Sequence, residues 1–279
     1  MAAALPRKGE LFADRYRVEE KLAAGGMGAV FRATDTREDR TVAVKFLHPE
    51  LADEVEMHRR FRREASILKA IDHPSVVRVH DVGRDDIGRS YTVMELLEGE
   101  TLHACIRREG GLSIGRLKPI VTSMCEGLAA VHDHGVLHGD LKPANVFLID
   151  PPGEPAKLVD FGTSKVHGLE RLTRTGEIIG TPIYMAPELL TGDGAIDERI
   201  DVYALGVLLY EALSGETPFT ERNPGKLLFQ VVMGEGVPLQ ERVPTLSPDA
   251  VAIVNQAMAR AKADRFANPR AIARAFAQL

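Results

Sequence analysis

The hydrophobic pattern of this chain changes period once, near residue 100, and that change restricts the fold more than any other feature. Before it, short apolar runs with strand character occupy Tyr16 to Leu22, Ala29 to Thr34, Thr41 to Leu47, about Val76 to Asp81 and Tyr91 to Met94, with one helix expected over about Glu54 to Ile71. From Thr101 onward, helical spacing dominates, in Leu117 to His134, Val202 to Leu213, Pro248 to Ala261 and Pro269 to Ala277. The expectation is an α+β fold in two lobes: a small β-rich lobe over 16–94, a connector at 95–99 and a larger, mostly helical lobe over 100–279, with residues 1–15 as an N-terminal extension. With 279 residues, 44% of them hydrophobic, the chain has apolar mass enough for two such lobes. A cleft between unequal lobes is a natural ligand site.

Charge and composition remove several functional classes. The net charge of -5 gives no basic field of the kind that gathers nucleic acid, and no aromatic spacing suggests a nucleic-acid partner. The longest apolar run, Val202 to Tyr210, has about nine residues against the roughly 20 that span a bilayer, so no membrane segment is expected in this chain. The N-terminal residues lack the apolar core of a signal peptide. Cys105 and Cys125 lie too far apart for a short metal-ligand pair and read as buried thiols in a reducing compartment. A cytoplasmic location is the expectation.

Two features of the first lobe point to nucleotide chemistry. Residues Leu22-Ala23-Ala24-Gly25-Gly26-Met27-Gly28 lie between two strand patterns and lead into Val30. Glycines let a backbone approach a phosphate closely, although a hairpin turn needs them just as much. Because a strand follows rather than a helix, neither a Rossmann loop nor a Walker loop fits. In Thr41-Val-Ala-Val-Lys-Phe-Leu47, Lys45 shares a face with Ala43 and Leu47. An inward lysine needs a partner, and Glu64, on the apolar stripe Met57, Phe61, Ala65, Leu68, is the candidate.

The second lobe holds an ordered set of motifs. Residues 138–145 read His-Gly-Asp-Leu-Lys-Pro-Ala-Asn, 160–162 Asp-Phe-Gly, and 180–188 Gly-Thr-Pro-Ile-Tyr-Met-Ala-Pro-Glu, followed by Asp201-Val-Tyr-Ala-Leu-Gly206 and a late arginine, Arg265. Phosphoryl transfer calls for a carboxylate that orients the attacking hydroxyl, and for hard oxygen ligands that hold a metal on the phosphates.

With the glycine loop, Val42-Ala-Val-Lys45 and Glu64, this set resembles the bacterial eukaryotic-like serine/threonine protein kinases over nearly the whole chain. The resemblance implies the bilobal kinase fold, ATP with Mg2+ or Mn2+ as cofactors, and a protein substrate. It implies that Lys45 holds the α- and β-phosphates and pairs with Glu64, that Asp140 is the base, that Lys142 touches the γ-phosphate, and that Asn145 and Asp160 bind metal. The nucleotide is then met by Leu22, Ala23, Ala24, Gly25, Gly26, Met27 and Gly28, by Val30, Ala43 and Phe147 around the ring, by Met94 as gatekeeper, and by the backbone of Glu95 and Leu97. Leu68, Val79, His138 and Phe161 are expected to stack. Glu188 pairs with Arg265, Thr181 contacts the catalytic aspartate and lysine, and Asp201 anchors the catalytic loop. Thr173 and Thr175 are the expected autophosphorylation sites, reached through a transient homodimer.

Two positions depart from the family pattern. Ala23 replaces the usual first glycine, which stiffens the flap. Gly139 stands where most members have an arginine that meets a loop phosphate, so loop phosphorylation is expected to matter less and basal activity to survive without it. Two other readings remain open: a small-molecule phosphotransferase of the same fold, since His138-Gly-Asp140 with Asn145 also resembles the motif of aminoglycoside and choline kinases, and an ATP-binding pseudokinase scaffold.

Overall fold

Alternation along the strands builds the first of two units, Met1–Glu98 and Gly99–Leu279. The structure is a computed structural model and describes residues 4–25, 28–48, 63, 65–150, 156–161 and 182–279. In the first unit β1 (Leu11–Phe12), β2 (Tyr16–Gly25), β3 (Gly28–Asp35), β4 (Arg40–Leu47), β5 (Val79–Arg84) and β6 (Ser90–Glu95) form one sheet in the order β1-β2-β3-β4-β6-β5. Every pairing is antiparallel. Successive side chains of a strand point to opposite faces, so β4 sends Val42, Val44 and Phe46 to one side and Ala43, Lys45 and Leu47 to the other. The first set joins Phe12, Tyr16, Phe31, Tyr91 and Val93 in a buried cluster. Its rings meet mostly edge to face, with Phe12 4.9 Å from Phe46 and 5.0 Å from Tyr91, the geometry that ring quadrupoles favour. Residues 65–70 are helical and Leu68 is buried.

The second unit is mostly helical. A short sheet of β7 (Gly99–Thr101), β8 (Val146–Ile149) and β9 (Lys157–Leu158) accompanies α1 (Leu102–Glu109), α2 (Ile114–His132), α3 (Pro187–Thr191), α4 (Arg199–Ser214), α5 (Pro224–Met233), α6 (Leu239–Arg242), α7 (Pro248–Ala257) and α8 (Pro269–Ala277). Helix starts follow capping chemistry: the side chains of Thr101, Ser113, Asn223, Ser247 and Asn268 each accept a backbone N–H of the first turn. Proline at the first helical turn, where its missing N–H costs nothing, opens α5, α7 and α8. Helix α4 is the axis of the unit. Every residue from Ile200 to Leu213 is buried, as an all-round apolar helix must be. Leu117, Met124 and Leu128 of α2, Val254 of α7, and Ile272 and Phe276 of α8 complete its core.

Gly206 lets α4 and α7 come together. A Cβ there would lie 2.8 Å from both Ala257 Cβ and Met258 Cγ and 3.0 Å from the Ala257 backbone carbon. Gly206→Ala should therefore destabilise the protein by about 1–3 kcal/mol despite its better helix propensity. Urea unfolding followed by circular dichroism measures this, and a variant as stable as the parent would show that the two helices can separate without loss.

Candidate functional site

On the face of the first sheet opposite the aromatic cluster, strand register gathers the residues expected to meet a nucleotide. Ala23 pairs with Val30, Val30 with Lys45, Ala43 with Met94, and Met94 with Val79. Paired residues of antiparallel strands share a face, so one surface carries all six. Leu22, Ala23, Ala24 and Gly25 end β2 as exposed residues, and Gly25 pairs with Gly28 to start β3. Glu95 ends β6 with its N–H on the Arg78 carbonyl and its carboxylate on the Arg78 N–H, and Leu97 follows, partly buried. Gly26, Met27 and Glu64 lie outside the described residues, so the Lys45–Glu64 pair does too.

The second unit carries the chemical groups. The Asp140 carboxylate receives Lys142 Nζ at 2.9 Å and Asn145 Nδ2 at 3.2 Å, and the same Asn145 nitrogen donates to the Asp140 carbonyl at 2.8 Å. Both acceptors call for the amide nitrogen, which fixes the Asn145 side chain and leaves its oxygen to face elsewhere. The Asn145 carbonyl takes the Val159 N–H at 3.0 Å and so draws up the stretch holding Asp160. Asp160 itself has φ of 56°, a left-handed conformation uncommon for a residue with a Cβ. An amide oxygen and a carboxylate are hard donors, and they fit a divalent cation such as Mg2+ or Mn2+ that completes its shell with phosphate oxygens and water. Phe147 lies in β8, paired with Thr101 and Lys157.

A buried anion holds this loop. Asp201, at the start of α4, is 1% exposed. Its Oδ2 accepts the His138 N–H at 2.8 Å and meets His132 Nε2 at 2.7 Å, while Oδ1 accepts the Gly139 N–H at 2.9 Å. Burial alone would raise this carboxyl, but His132, His138 and the Gly139 N–H outweigh it and keep the group below its ordinary value. The Gly139 backbone has φ of 69°, a conformation costly for a residue with a Cβ, and glycine meets it without strain. His138 is fully buried, and burial lowers its imidazole below the usual value. Its Nδ1 accepts the Asp140 N–H at 3.4 Å, and its ring lies 4.5 Å from that of Phe161, so half of the expected stack lies within this unit.

Farther along, Arg265 is 4% exposed and uses all five guanidinium donors. Nη1 and Nη2 grip the two Glu188 oxygens at 2.7 and 2.8 Å, and the carbonyls of Ala259, Arg199 and Arg260 take the rest. Thr173, Thr175 and Thr181 lie outside the described residues. Sequence reasoning missed two buried partners: His132 beneath Asp201, and Glu211, which accepts the Tyr184 hydroxyl and whose carboxyl burial pushes up. His132 carried a signal, since it sits on the inner side of a helix ending six residues before the motif. Among the described residues no helix is long and apolar enough to cross a membrane.

Comparison with known proteins gives a consistent result. The family described as the protein kinase domain matches residues 16–277. A probable serine/threonine-protein kinase of Corynebacterium efficiens is 39% identical over 265 residues, 92% of this chain and 40% of that protein. The serine/threonine-protein kinase PknB of Mycobacterium tuberculosis is 37% identical over 258 residues, 91% of this chain and 41% of the relative. The chain thus spans about two fifths of the length of these relatives. The crystal structure of the Mycobacterium tuberculosis PknI kinase domain superposes with a TM-score of 0.78 at 29% identity, covering 98% of this chain and 99% of that one.

Proposed function

The chain belongs to the protein kinase domain family, among bacterial serine/threonine-protein kinases, and on that footing we propose that it transfers the γ-phosphate of ATP to serine or threonine hydroxyls of a protein. The observation that carries this reading is the convergence of Lys142 and Asn145 on the Asp140 carboxylate, in a loop whose backbone is fixed by the buried Asp201.

Asp140 accepts the proton of the attacking hydroxyl and aims that oxygen at phosphorus. Lys142, already beside this carboxylate, has an ammonium that can follow the γ-phosphoryl group as charge develops on its oxygens. The Asn145 oxygen and Asp160 would hold the divalent cation, which when bound neutralises phosphate charge. Lys45 holds the α- and β-phosphates, while Val30, Ala43, Met94 and Phe147 enclose the base. Glu64 completes the Lys45 pair, and Thr181 approaches the catalytic aspartate. Because Gly139 has no side chain to meet a loop phosphate, the domain keeps basal activity when Thr173 and Thr175 are unmodified. Phosphorylation of these two, in trans within a transient homodimer, adds to it. The setting is cytoplasmic, where ATP and Mg2+ are at hand.

Purified protein with labelled ATP and Mg2+ or Mn2+, alone and with a generic basic protein, tests the proposal beside Asp140→Asn. The expected result is label on protein, falling on the order of 10²–10⁴-fold in the variant while ATP affinity stays within a few-fold. Label mapped to Thr173 or Thr175 supports the loop assignment. Magnesium-dependent ATP binding with no protein labelled would favour a scaffold or a small-molecule acceptor.

A further inference from the structure

The residues ahead of Tyr16 are built into the first unit in a way their sequence gives no hint of. Gly9 donates to the Val18 carbonyl at 2.7 Å, Val18 returns a bond to the Glu10 carbonyl at 2.9 Å, and Leu11 and Phe12 pair with Arg17 and Tyr16. Phe12 is 3% exposed and enters the centre of the aromatic cluster, against Tyr16, Phe46 and Tyr91.

A buried arginine from the far edge of the sheet ties this segment down. Arg89, 5% exposed, lies just ahead of β6. Its Nε binds Asp85 Oδ2 at 2.6 Å, its Nη2 binds Glu10 Oε1, and its Nη1 donates to the Ala4 carbonyl at 3.3 Å. The same guanidinium lies 5.3 Å from the centre of the Phe46 ring. Glu10 holds the turn from its other side, accepting the Arg7 N–H at 3.0 Å. Strand β1 and the turn before β6 stand at opposite ends of the sheet order, yet Glu10, Arg89 and Asp85 join them in one ionic chain.

The position of this clamp matters because of the strand beneath it. Phe46 is fully buried among Phe12, Phe31, Tyr91 and Arg89, and its neighbour Lys45 projects from the other face of β4. A strand held hard on one face presents the other face at a fixed height and tilt. We propose that residues 4–12, fastened by Arg89, form a positioning strap that sets Lys45 for the phosphates of the nucleotide. Glu10 and Arg89 are its positioning residues. The proposal rests on the kinase reading above, in which Lys45 meets the nucleotide.

Loss of the strap relaxes the back of β4 and misplaces a phosphate anchor, while the catalytic loop belongs to the other unit. The effect therefore falls on nucleotide affinity rather than on turnover. Two variants test this: the chain lacking residues 1–10, and the full chain with Glu10→Gln, which leaves the Asp85–Arg89 pair in place. Each is measured for thermal midpoint, for Kd of ATP with Mg2+, and for KM and kcat. The expected outcome is a rise of about fivefold in Kd and KM for ATP, with kcat within about twofold, in folded protein. Glu10→Gln shows the smaller rise and keeps the proposal open to test if the truncated chain does not fold. Folded variants with unchanged Kd and KM would overturn it, as would a fall in kcat that only tracks loss of folded protein. A parent protein that neither binds ATP nor transfers phosphate would instead sink the kinase reading.

Discussion

Asp201→Ala should destabilise the larger unit by roughly 3–5 kcal/mol, a large share of the stability of an ordinary domain. The carboxylate is buried and satisfies three donors, the N–H groups of His138 and Gly139 and the Nε2 of His132. Alanine leaves all three without their acceptor at a position that is 1% exposed. Denaturant unfolding of the variant measures the cost. A loss under about 1 kcal/mol would show that the loop finds other acceptors. Acid provides a second reading of the same group. Its folded carboxyl lies below its ordinary value, so its contribution is complete above the unfolded value of about 3.9 and disappears as pH falls through the lower, folded one. Stability of the parent should therefore drop below about pH 4, and an Asp201→Asn variant should lack that part of the slope.

Arg265→Lys is expected to be nearly as damaging as Arg265→Ala, at about 3–5 kcal/mol. The site uses a planar fork of five donors, two on Glu188 and three on backbone carbonyls, with the guanidinium also 4.9 Å from the Tyr203 ring centre. An ammonium has three donors at one point and cannot span them. Alanine leaves Glu188 without a partner at a position only 9% exposed. The double variant Arg265→Met/Glu188→Gln should recover part of the loss, because it removes both charges together. Chemical unfolding of the parent, Arg265→Met, Glu188→Gln and the double variant forms a thermodynamic cycle. A lysine variant as stable as the parent would show that charge alone suffices.

Where the contacts are local, they are legible in the sequence. Asp140, Lys142 and Asn145 fall within six residues, and the turn that carries them leaves little freedom in how they meet. Strand alternation in β4 was equally plain, because period 2 assigns each residue to a face without knowledge of partners. What escaped notice depends on distant partners. Arg89 reads as one more charged residue in a polar turn, and only the folded chain brings Glu10, 79 residues away, to it. The C-terminal helical run was expected to reach Ala261, but α7 stops at Ala257. The carbonyls of Ala259 and Arg260 turn instead to the Arg265 side chain, a competition that periodicity cannot reveal. Likewise β5 starts at Val79 rather than near Val76, because Val76 closes a turn on the His73 carbonyl.

The grip of Arg265 on Glu188 also has a consequence in time. The two residues are 77 positions apart in the chain. At about 5–20 residues per second, a ribosome needs on the order of 4–15 s to make the interval between them. Throughout that delay Glu188 exists without its cation, and α8, whose Ile272 and Phe276 belong to the core of the unit, has yet to emerge. A nascent chain halted between Asp201 and Arg265 carries the Asp140 loop and its Asp201 anchor but no means of closing the unit around them. During synthesis, then, residues made well after the Asp140 loop decide whether that loop is ever enclosed in a folded unit.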